Sequence, residues 1–193
     1  PPAGRDSVVA VCPPVELYAC IEALRRFPNQ LYDRHFARGM RRQVEALRRC
    51  PPDAPGWRGS RVPRTVFAFD DAYIGPVGGF GGAMDYYRAC SLTRRVGAIR
   101  LPTLVLAAQD DPLIPWPTVG GAPWPRCVRV IAPAHGGHLG FINRRDGHDP
   151  DRRWMDWRLL EWLQRTRGTE EPTRPAEGRT TPVSAGHSLH AGC

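Results

Sequence analysis

The chain has 193 residues, of which 41% are hydrophobic; this length allows one domain with a sizeable core and excludes a chain that is disordered throughout. Its formal net charge is +8, and all 27 of its Lys-plus-Arg side chains are arginines, scattered over predicted helices and loops. Because nucleic-acid binding requires clustered positive charge, this scatter argues against a nucleic-acid partner.

The cysteines show neither C-x-x-C spacing nor the density of a small disulfide scaffold; they are Cys12, Cys20, Cys50, Cys90, Cys127 and Cys193. We therefore expect a reducing compartment, the cytoplasm. The sequence contains no run of about twenty apolar residues that would predict a transmembrane segment, and no signal-peptide pattern at its start. It begins at Pro1 and reaches a predicted strand almost at once, which predicts further sequence upstream.

The first part of the chain predicts one strand and two helices. Residues 7–12 form a short β-branched run that is typical of a buried parallel strand. Apolar residues recur at helical spacing over 15–26 and over 31–49. The predicted apolar stripe of the second helix is Phe36, Met40, Val44 and Leu47. Its arginines could form a partner-binding face, but a solvated basic face is favoured.

The middle of the chain is rich in proline and glycine. Residues 50–63 predict an irregular connection. The glycines over 75–82 fit neither G-x-G-x-x-G nor a P-loop, and the chain has no lysine to hold a phosphate, so nucleotide binding is disfavoured. We expect a flexible turn that leads into a helix and permits close backbone approach.

Two further strands and a final helix are predicted in the second half. Residues 101–108 and 127–132 are buried-type strands, and residues 151–165 form a helix that is opened by Asp149, Pro150 and Asp151. The tryptophan-rich stripe of this helix is interpreted as a core face over a sheet rather than a membrane or partner surface. We assign residues 1–166 to the folded domain, and residues 167–193 to a disordered tail that is poor in large apolar residues.

Two polar turns follow neighbouring predicted strands. Asp110 and Asp111 come after the strand over 101–108, and His135 and His138 come after the strand over 127–132. Catalytic groups of an open parallel sheet lie beyond the carboxyl ends of its strands. The two turns therefore predict the acid and the base of a hydrolytic triad.

Each turn also has other interpretations. Asp-Asp-Pro after a strand is frequently only a turn. The His-Gly-Gly-His segment could be a plain loop or, with His148, Asp149 and Asp151, a metal site, although it lacks the H-E-x-x-H pattern of zinc enzymes. The order of an acid turn followed by a histidine turn favours the triad.

Several motifs together resemble the YheT-like α/β-hydrolases, a family related to the EMB8 proteins and to lipid-acting αβ-hydrolase-domain proteins of eukaryotes. They are Phe69-Asp70-Asp71, Gly79-Phe80, Asp85-Tyr86-Tyr87, Ala108-Gln109-Asp110-Asp111-Pro112 and the run from His135 to Phe141. The resemblance covers about residues 5–165 and looks like the C-terminal half of such a protein. It implies the α/β class, with a partial α/β-hydrolase fold, a parallel sheet flanked by helices, and a helical cap segment drawn from residues 15–49.

By this resemblance, the family's acid falls on Asp111 and its base on His138. Asp110 is then a neighbour of the acid and not a triad member. His135 would lie close to the base, but would not itself be the base. Ala108 replaces the usual glycine of the acid turn. The family implies acyl-enzyme hydrolysis of carboxylic or lipid-like esters, with a small-molecule ester or lipid as substrate and with no cofactor.

The nucleophile of such a triad stands in a G-x-S-x-G elbow that precedes the acid and the base. None of the serines has that setting; they are Ser7, Ser60, Ser91, Ser184 and Ser188. Because loss of a triad nucleophile costs orders of magnitude in rate, we predict that this chain alone is inactive. The alternative is a non-catalytic remnant that acts as a binding or interaction module, with Asp111 and His138 as turn residues only.

Overall fold

A parallel sheet of three strands organises the fold. The computed structural model describes residues 6–49, 55–56, 58–59, 61–144 and 149–167. The strands are β1 (Val8–Val11), β2 (Thr103–Leu106) and β3 (Val128–Ile131), in the spatial order β1-β2-β3. Val11 pairs with Leu106 and Leu106 with Ile131, so the three strands end level with one another. The predicted parallel strands are confirmed.

Helices connect and follow the strands. Helices α1 (Leu17–Arg25) and α2 (Gln30–Leu47) come after β1. A helical series then runs through α3 (Val66–Phe69), a π-helical turn (Asp70–Ile74), α4 (Gly75–Val77) and α5 (Ala83–Cys90). A 3₁₀ turn (Val96–Ala98) precedes β2, α6 (Trp116–Gly120) lies between β2 and β3, and α7 (Trp154–Arg167) follows β3.

Both faces of β2 are covered by other parts of the chain, because its side chains point alternately to the two faces of the sheet. Leu104 lines a crevice with Trp162 of α7, whereas Val105 lines an apolar cleft on the other face with Val96 and Trp124. All four residues of β2 are buried. This double burial explains why Leu104, Val105 and Leu106 of β2 are consecutive apolar residues rather than an alternating pattern.

Local capping sets where the predicted helices begin. Glu16 accepts a hydrogen bond from the Ala19 N–H at 2.6 Å, so α1 starts at residue 17 rather than at 15. Asp151 accepts a hydrogen bond from the Arg153 N–H at 2.8 Å, and α7 starts at residue 154 rather than at 151. The structure therefore confirms these helices with later starts.

The buried stripe of α2 differs from the predicted one. Its buried residues are Asp33, Ala37 and Val44, while Phe36 and Leu47 are exposed. Asp33 turns this face inwards, since its carboxylate accepts a hydrogen bond from the backbone N–H at the start of α3 at 2.6 Å. The buried face of α2 is therefore determined in part by a tertiary hydrogen bond, and it differs from the face that the apolar pattern predicts.

Some predictions fall outside the described residues. These are the predicted tail beyond residue 167, and most of the first part of the irregular connection, including Cys50. Within the described ranges, no helix combines the length and the apolar character that a bilayer crossing requires.

Candidate active site

Asp111 lies in the turn that follows β2, and its side chain is only 1% exposed. Its Oδ1 atom accepts hydrogen bonds from the backbone N–H groups of Leu113 at 2.8 Å and Ile114 at 3.0 Å. An aspartate that bonds the backbone two and three residues ahead is the usual device of a tight turn. The turn therefore holds the carboxylate in one orientation.

The other oxygen of this carboxylate meets a histidine. His138 Nδ1 lies 2.9 Å from Asp111 Oδ2, and the histidine side chain is 31% exposed. A carboxylate oxygen can only accept a hydrogen bond, so Nδ1 carries the proton that it donates to Asp111. In the neutral ring, Nε2 is then free to act as a base. The ring thus connects a buried carboxylate to the surface.

Asp110 holds the histidine turn in place. Its Oδ1 atom accepts hydrogen bonds from the N–H groups of Gly136 at 2.9 Å and Gly137 at 2.8 Å, and its Oδ2 atom lies 3.2 Å from His135 Nδ1. The hydrogen bond from Gly137 is the main cause that lowers the pKa of Asp110. The His135 ring is 91% exposed. The adjacent aspartates therefore have separate partners.

The two glycines of the histidine turn are needed for its close fit. A Cβ atom on Gly136 would lie 2.6 Å from the Phe141 ring and 2.9 Å from the Ala108 Cβ. Gly137 has a φ of +59°, in the left-handed region that favours glycine. The turn can therefore lie against the end of β2, which brings His138 to Asp111.

Backbone strain surrounds this pair. Among the described residues, the non-glycine positions with positive φ are Cys12 at 45°, Leu139 at 66° and Phe141 at 42°. Cys12 directly follows β1, and Leu139 directly follows His138. Strained backbone of this kind clusters at active sites, where packing and hydrogen bonds maintain it.

Cys12 also lies at this site, although no sequence motif identified it as a site residue. Its Sγ atom, a carboxylate oxygen of Asp111 and a ring nitrogen of His138 all lie within 4.8 Å of one another. Burial raises the pKa of the Cys12 thiol, and the Asp111 carboxylate raises it further. The signal for Cys12 was its position after the first strand, at the same sheet edge as the two polar turns.

The geometry does not assemble the metal site that was considered for the histidine loop. His135 and His138 pair with different aspartates, and Asp149 and Asp151 hydrogen-bond to side chains of α7. His148 lies outside the described residues. In the part of the chain that is described, metal-ligand spacing occurs only in the cysteine–aspartate–histidine cluster above. A metal there would compete with the hydrogen bond between the aspartate and the histidine.

The serines that the structure describes are engaged elsewhere. The Ser7 hydroxyl lies 3.1 Å from the Thr166 hydroxyl of α7. The Ser91 hydroxyl accepts a hydrogen bond from the first N–H of α1 and donates one to Glu16. Neither hydroxyl hydrogen-bonds to His138. The remaining serines, Ser60, Ser184 and Ser188, lie outside the described residues.

The corner between α1 and α2 is tied to the acid turn. Asn29 is buried, and its Nδ2 atom donates to the Ala23 carbonyl at 3.0 Å and to the Pro112 carbonyl at 2.8 Å. Pro112 directly follows Asp111. The two helices of the predicted cap segment are therefore anchored next to the buried carboxylate.

Comparisons with known proteins find similarity to esterases, lipases and abhydrolase-domain proteins. No family model matches it, and no solved structure matches it significantly. YheT of Escherichia coli (strain K12), which carries a provisional esterase name, is 30% identical over 165 residues, which are 82% of this chain and 47% of YheT. An abhydrolase domain-containing protein of Dictyostelium discoideum is 27% identical over 173 residues, or 83% of this chain and 42% of that protein.

A third relative is the monoacylglycerol lipase of Saccharomyces cerevisiae, which is 33% identical over 105 residues, or 52% of this chain and 22% of the lipase. The chain spans about half the length, or less, of these curated relatives. Its three parallel strands with flanking helices form part of an α/β-hydrolase fold. On these similarities and this fold, the chain is similar to the YheT-like α/β-hydrolases over most of its length.

Proposed function

We propose that this chain supplies the acid and the base of a serine-type hydrolase that acts on carboxylic or lipid-like esters. The observation that carries the proposal is the 2.9 Å hydrogen bond between His138 Nδ1 and Asp111 Oδ2, beyond the level ends of the parallel strands. The names of relatives, among them an esterase and a monoacylglycerol lipase, support the ester class.

In the proposed reaction, His138 Nε2 takes the proton of a serine hydroxyl while the serine oxygen attacks the ester carbonyl. Asp111 stabilises the resulting imidazolium through Nδ1–H. The imidazolium then gives its proton to the departing alkoxide, which leaves an acyl-enzyme. A water molecule, deprotonated in the same way, then attacks the acyl-enzyme. The bond between the acyl carbon and the serine oxygen breaks, the imidazolium returns its proton to that oxygen, and the carboxylic acid is released. Asp110 acts as a positioning residue, because it binds the backbone of the turn that carries the base.

The nucleophile would stand in a G-x-S-x-G elbow that is not among these residues. The described serines are engaged with α1 and α7. Cys12 is a poor substitute, because burial and the neighbouring carboxylate raise the pKa of its thiol and favour the protonated sulfur. We therefore expect no esterase activity from this chain alone.

A fluorophosphonate probe, which reacts with activated serines, tests the assignment. We expect no labelling of this chain and clear labelling of a version extended upstream to include a G-x-S-x-G elbow. In the extended version, Asp111→Asn or His138→Ala should slow labelling by orders of magnitude, roughly 10⁴-fold for the aspartate change. His135→Ala is the matched control and should have a small effect, because that ring is exposed and pairs with Asp110.

Three results would contradict the proposal. They are labelling of this chain alone, an extended version that is labelled equally well with His138→Ala, and a larger loss with His135→Ala than with His138→Ala. An extended version that stays unlabelled would favour the non-catalytic interaction module instead.

A further inference from the structure

A cleft lined by arginines lies between α2 and the segment that leads into α3. Its lining residues are Arg34, Arg38, Arg41, Arg64 and Thr65, and its volume is about 660 Å³. Among the described residues, no carboxylate lines it. We propose that this cleft is a binding site for a phosphate-bearing anion.

The helix places three of these arginines on one face. Positions 34, 38 and 41 are four and three residues apart, and this spacing stacks side chains along one side of an α-helix. Like charges at this spacing repel one another. A bound anion would relieve that repulsion.

Backbone hydrogen bonds after Arg64 hold this residue next to the arginine face of α2. Val66, two residues later, donates its N–H to Asp33 of α2 at 2.6 Å. The intervening Thr65 caps α3, since its Oγ1 atom accepts a hydrogen bond from the Ala68 N–H at 3.1 Å. The segment is therefore held against the first turns of α2, and the Oδ1 atom of Asp33 is already used by a backbone donor.

The cleft arginines form no ion pair with a carboxylate of the described residues. Within the described ranges, none of the four forms a salt bridge or a side-chain hydrogen bond, whereas Arg25, Arg88 and Arg158 each pair with a carboxylate. The Nε atom of Arg41 is buried and has no acceptor among the described residues. A buried donor that lacks an acceptor is destabilising, as is also the case for the Nε atom of Arg158, so we infer the site from the four guanidinium groups that line the cleft.

A phosphate group suits this set of donors. Each guanidinium offers a planar fork of N–H groups that can bind two phosphate oxygens at once. A single carboxylate has only two oxygens and would leave most of these donors unused. The phosphate could be free in solution or part of a lipid headgroup. A neighbouring groove that includes Val62 and Phe67 shares Arg64 and Thr65 with the cleft, which provides apolar surface beside it.

The test uses this chain and two probes. Isothermal titration calorimetry with pyrophosphate measures binding of a soluble anion, and co-sedimentation with phosphatidylcholine vesicles, with and without phosphatidic acid, measures binding of a headgroup. We expect one pyrophosphate per chain, and roughly tenfold or greater weakening in the triple variant R34Q/R38Q/R41Q. The control R26Q/R94Q/R126Q removes the same charge from exposed arginines that do not line the cleft and should bind like the wild type.

The outcomes separate clearly. Pyrophosphate binding that is weakened only in the cleft variant supports the site. Binding to vesicles that contain phosphatidic acid, without pyrophosphate binding, also supports the site if the cleft variant loses it. The phosphate would then come from a lipid headgroup. The absence of both kinds of binding, or an equal loss in the control variant, overturns it. If circular dichroism shows that the cleft variant is unfolded, the single variant Arg38→Gln, at an exposed position, is compared with the wild type instead. The assay needs no ester hydrolysis, so its result is independent of the proposed catalytic function.

Discussion

Asp111 combines a structural task with its proposed catalytic one. Its carboxylate is buried, and a buried carboxylate is stable only when its oxygens are paired. Two backbone N–H groups and the His138 ring supply the partners. The residue should therefore matter for stability even where no substrate is turned over.

We expect Asp111→Ala to lower the free energy of unfolding by about 2–4 kcal/mol, because two buried N–H groups lose their acceptor. Asp111→Asn keeps an amide oxygen for those donors and should cost less. Urea unfolding followed by circular dichroism measures both variants. An asparagine variant that is less stable than the alanine variant would show that the carboxylate charge, not its acceptor role, stabilises the turn.

A second buried pair should make stability depend on pH. The Tyr87 hydroxyl donates to Asp70 Oδ2 at 2.6 Å. Burial raises the pKa of Asp70 from 3.8 to about 6, although the bond from Tyr87 lowers it. Because the folded pKa exceeds the unfolded one, the folded state binds more protons between these values. The contribution of Asp70 to stability is therefore complete below the unfolded pKa and is lost as the pH rises to the folded pKa.

From about pH 4 to pH 7, Asp70 alone should lower the free energy of unfolding by roughly 3 kcal/mol at most. Asp70→Asn should remove this decrease, and Tyr87→Phe should extend it to higher pH because the stabilising donor is lost. Urea unfolding at a series of pH values measures both effects. The same decrease in wild type and Asp70→Asn would assign the pH dependence to other groups.

At the scale of elements, the histidine turn depends on close contact with the end of β2. We expect Gly136→Ala to destabilise the protein by about 1–3 kcal/mol, because the added methyl would overlap Phe141 and Ala108. Gly39→Ala is a matched control on α2, where nothing lies within 4 Å of the added methyl. It should stabilise the helix by up to about 1 kcal/mol.

Thermal and urea unfolding of the two glycine variants measure these opposite effects. Equal stability of Gly136→Ala and wild type would mean that the turn can move away from β2. The hydrogen bond between His138 and Asp111 would then not depend on the packing of that glycine.

At the scale of the whole molecule, the sheet has an open edge. Within the described chain β1 pairs only with β2, and Val8 is 42% exposed. An apolar cleft of about 300 Å³ adjoins this edge and includes Val8, Ala10 and Trp124. Open edges and apolar clefts promote association and bind hydrophobic dyes.

We therefore expect this chain to bind the dye ANS and to associate as its concentration rises. Val8→Lys should reduce both effects, because a charge on an edge strand opposes pairing with another chain. Val77→Lys, at another exposed valine outside the cleft, is the control and should leave them nearly unchanged. Dye fluorescence and light scattering across a concentration series measure the difference. Equal effects of the two variants would show that the β1 edge is not the surface involved.

The sequence by itself determined the strands, most helices and the two polar turns. Continuous apolar runs predict buried parallel strands, and helical periodicity predicts α1, α2 and α7, because these patterns are local. The ends of parallel strands lie at one edge, so the sequence also predicted that the aspartates and histidines would be neighbours. Residue patterns alone did not choose between Asp110 and Asp111; the family resemblance made that choice.

Only the tertiary structure decided which side chains meet. Separate hydrogen bonds pair His138 with Asp111 and His135 with Asp110, across 27 and 25 residues. Cys12 joins the first pair through strand register, and Asp33 turns an unpredicted face of α2 inwards. Such contacts depend on register, turn geometry and the packing of distant segments. Periodicity along the chain reports only which side of an element is apolar, so it could not specify them.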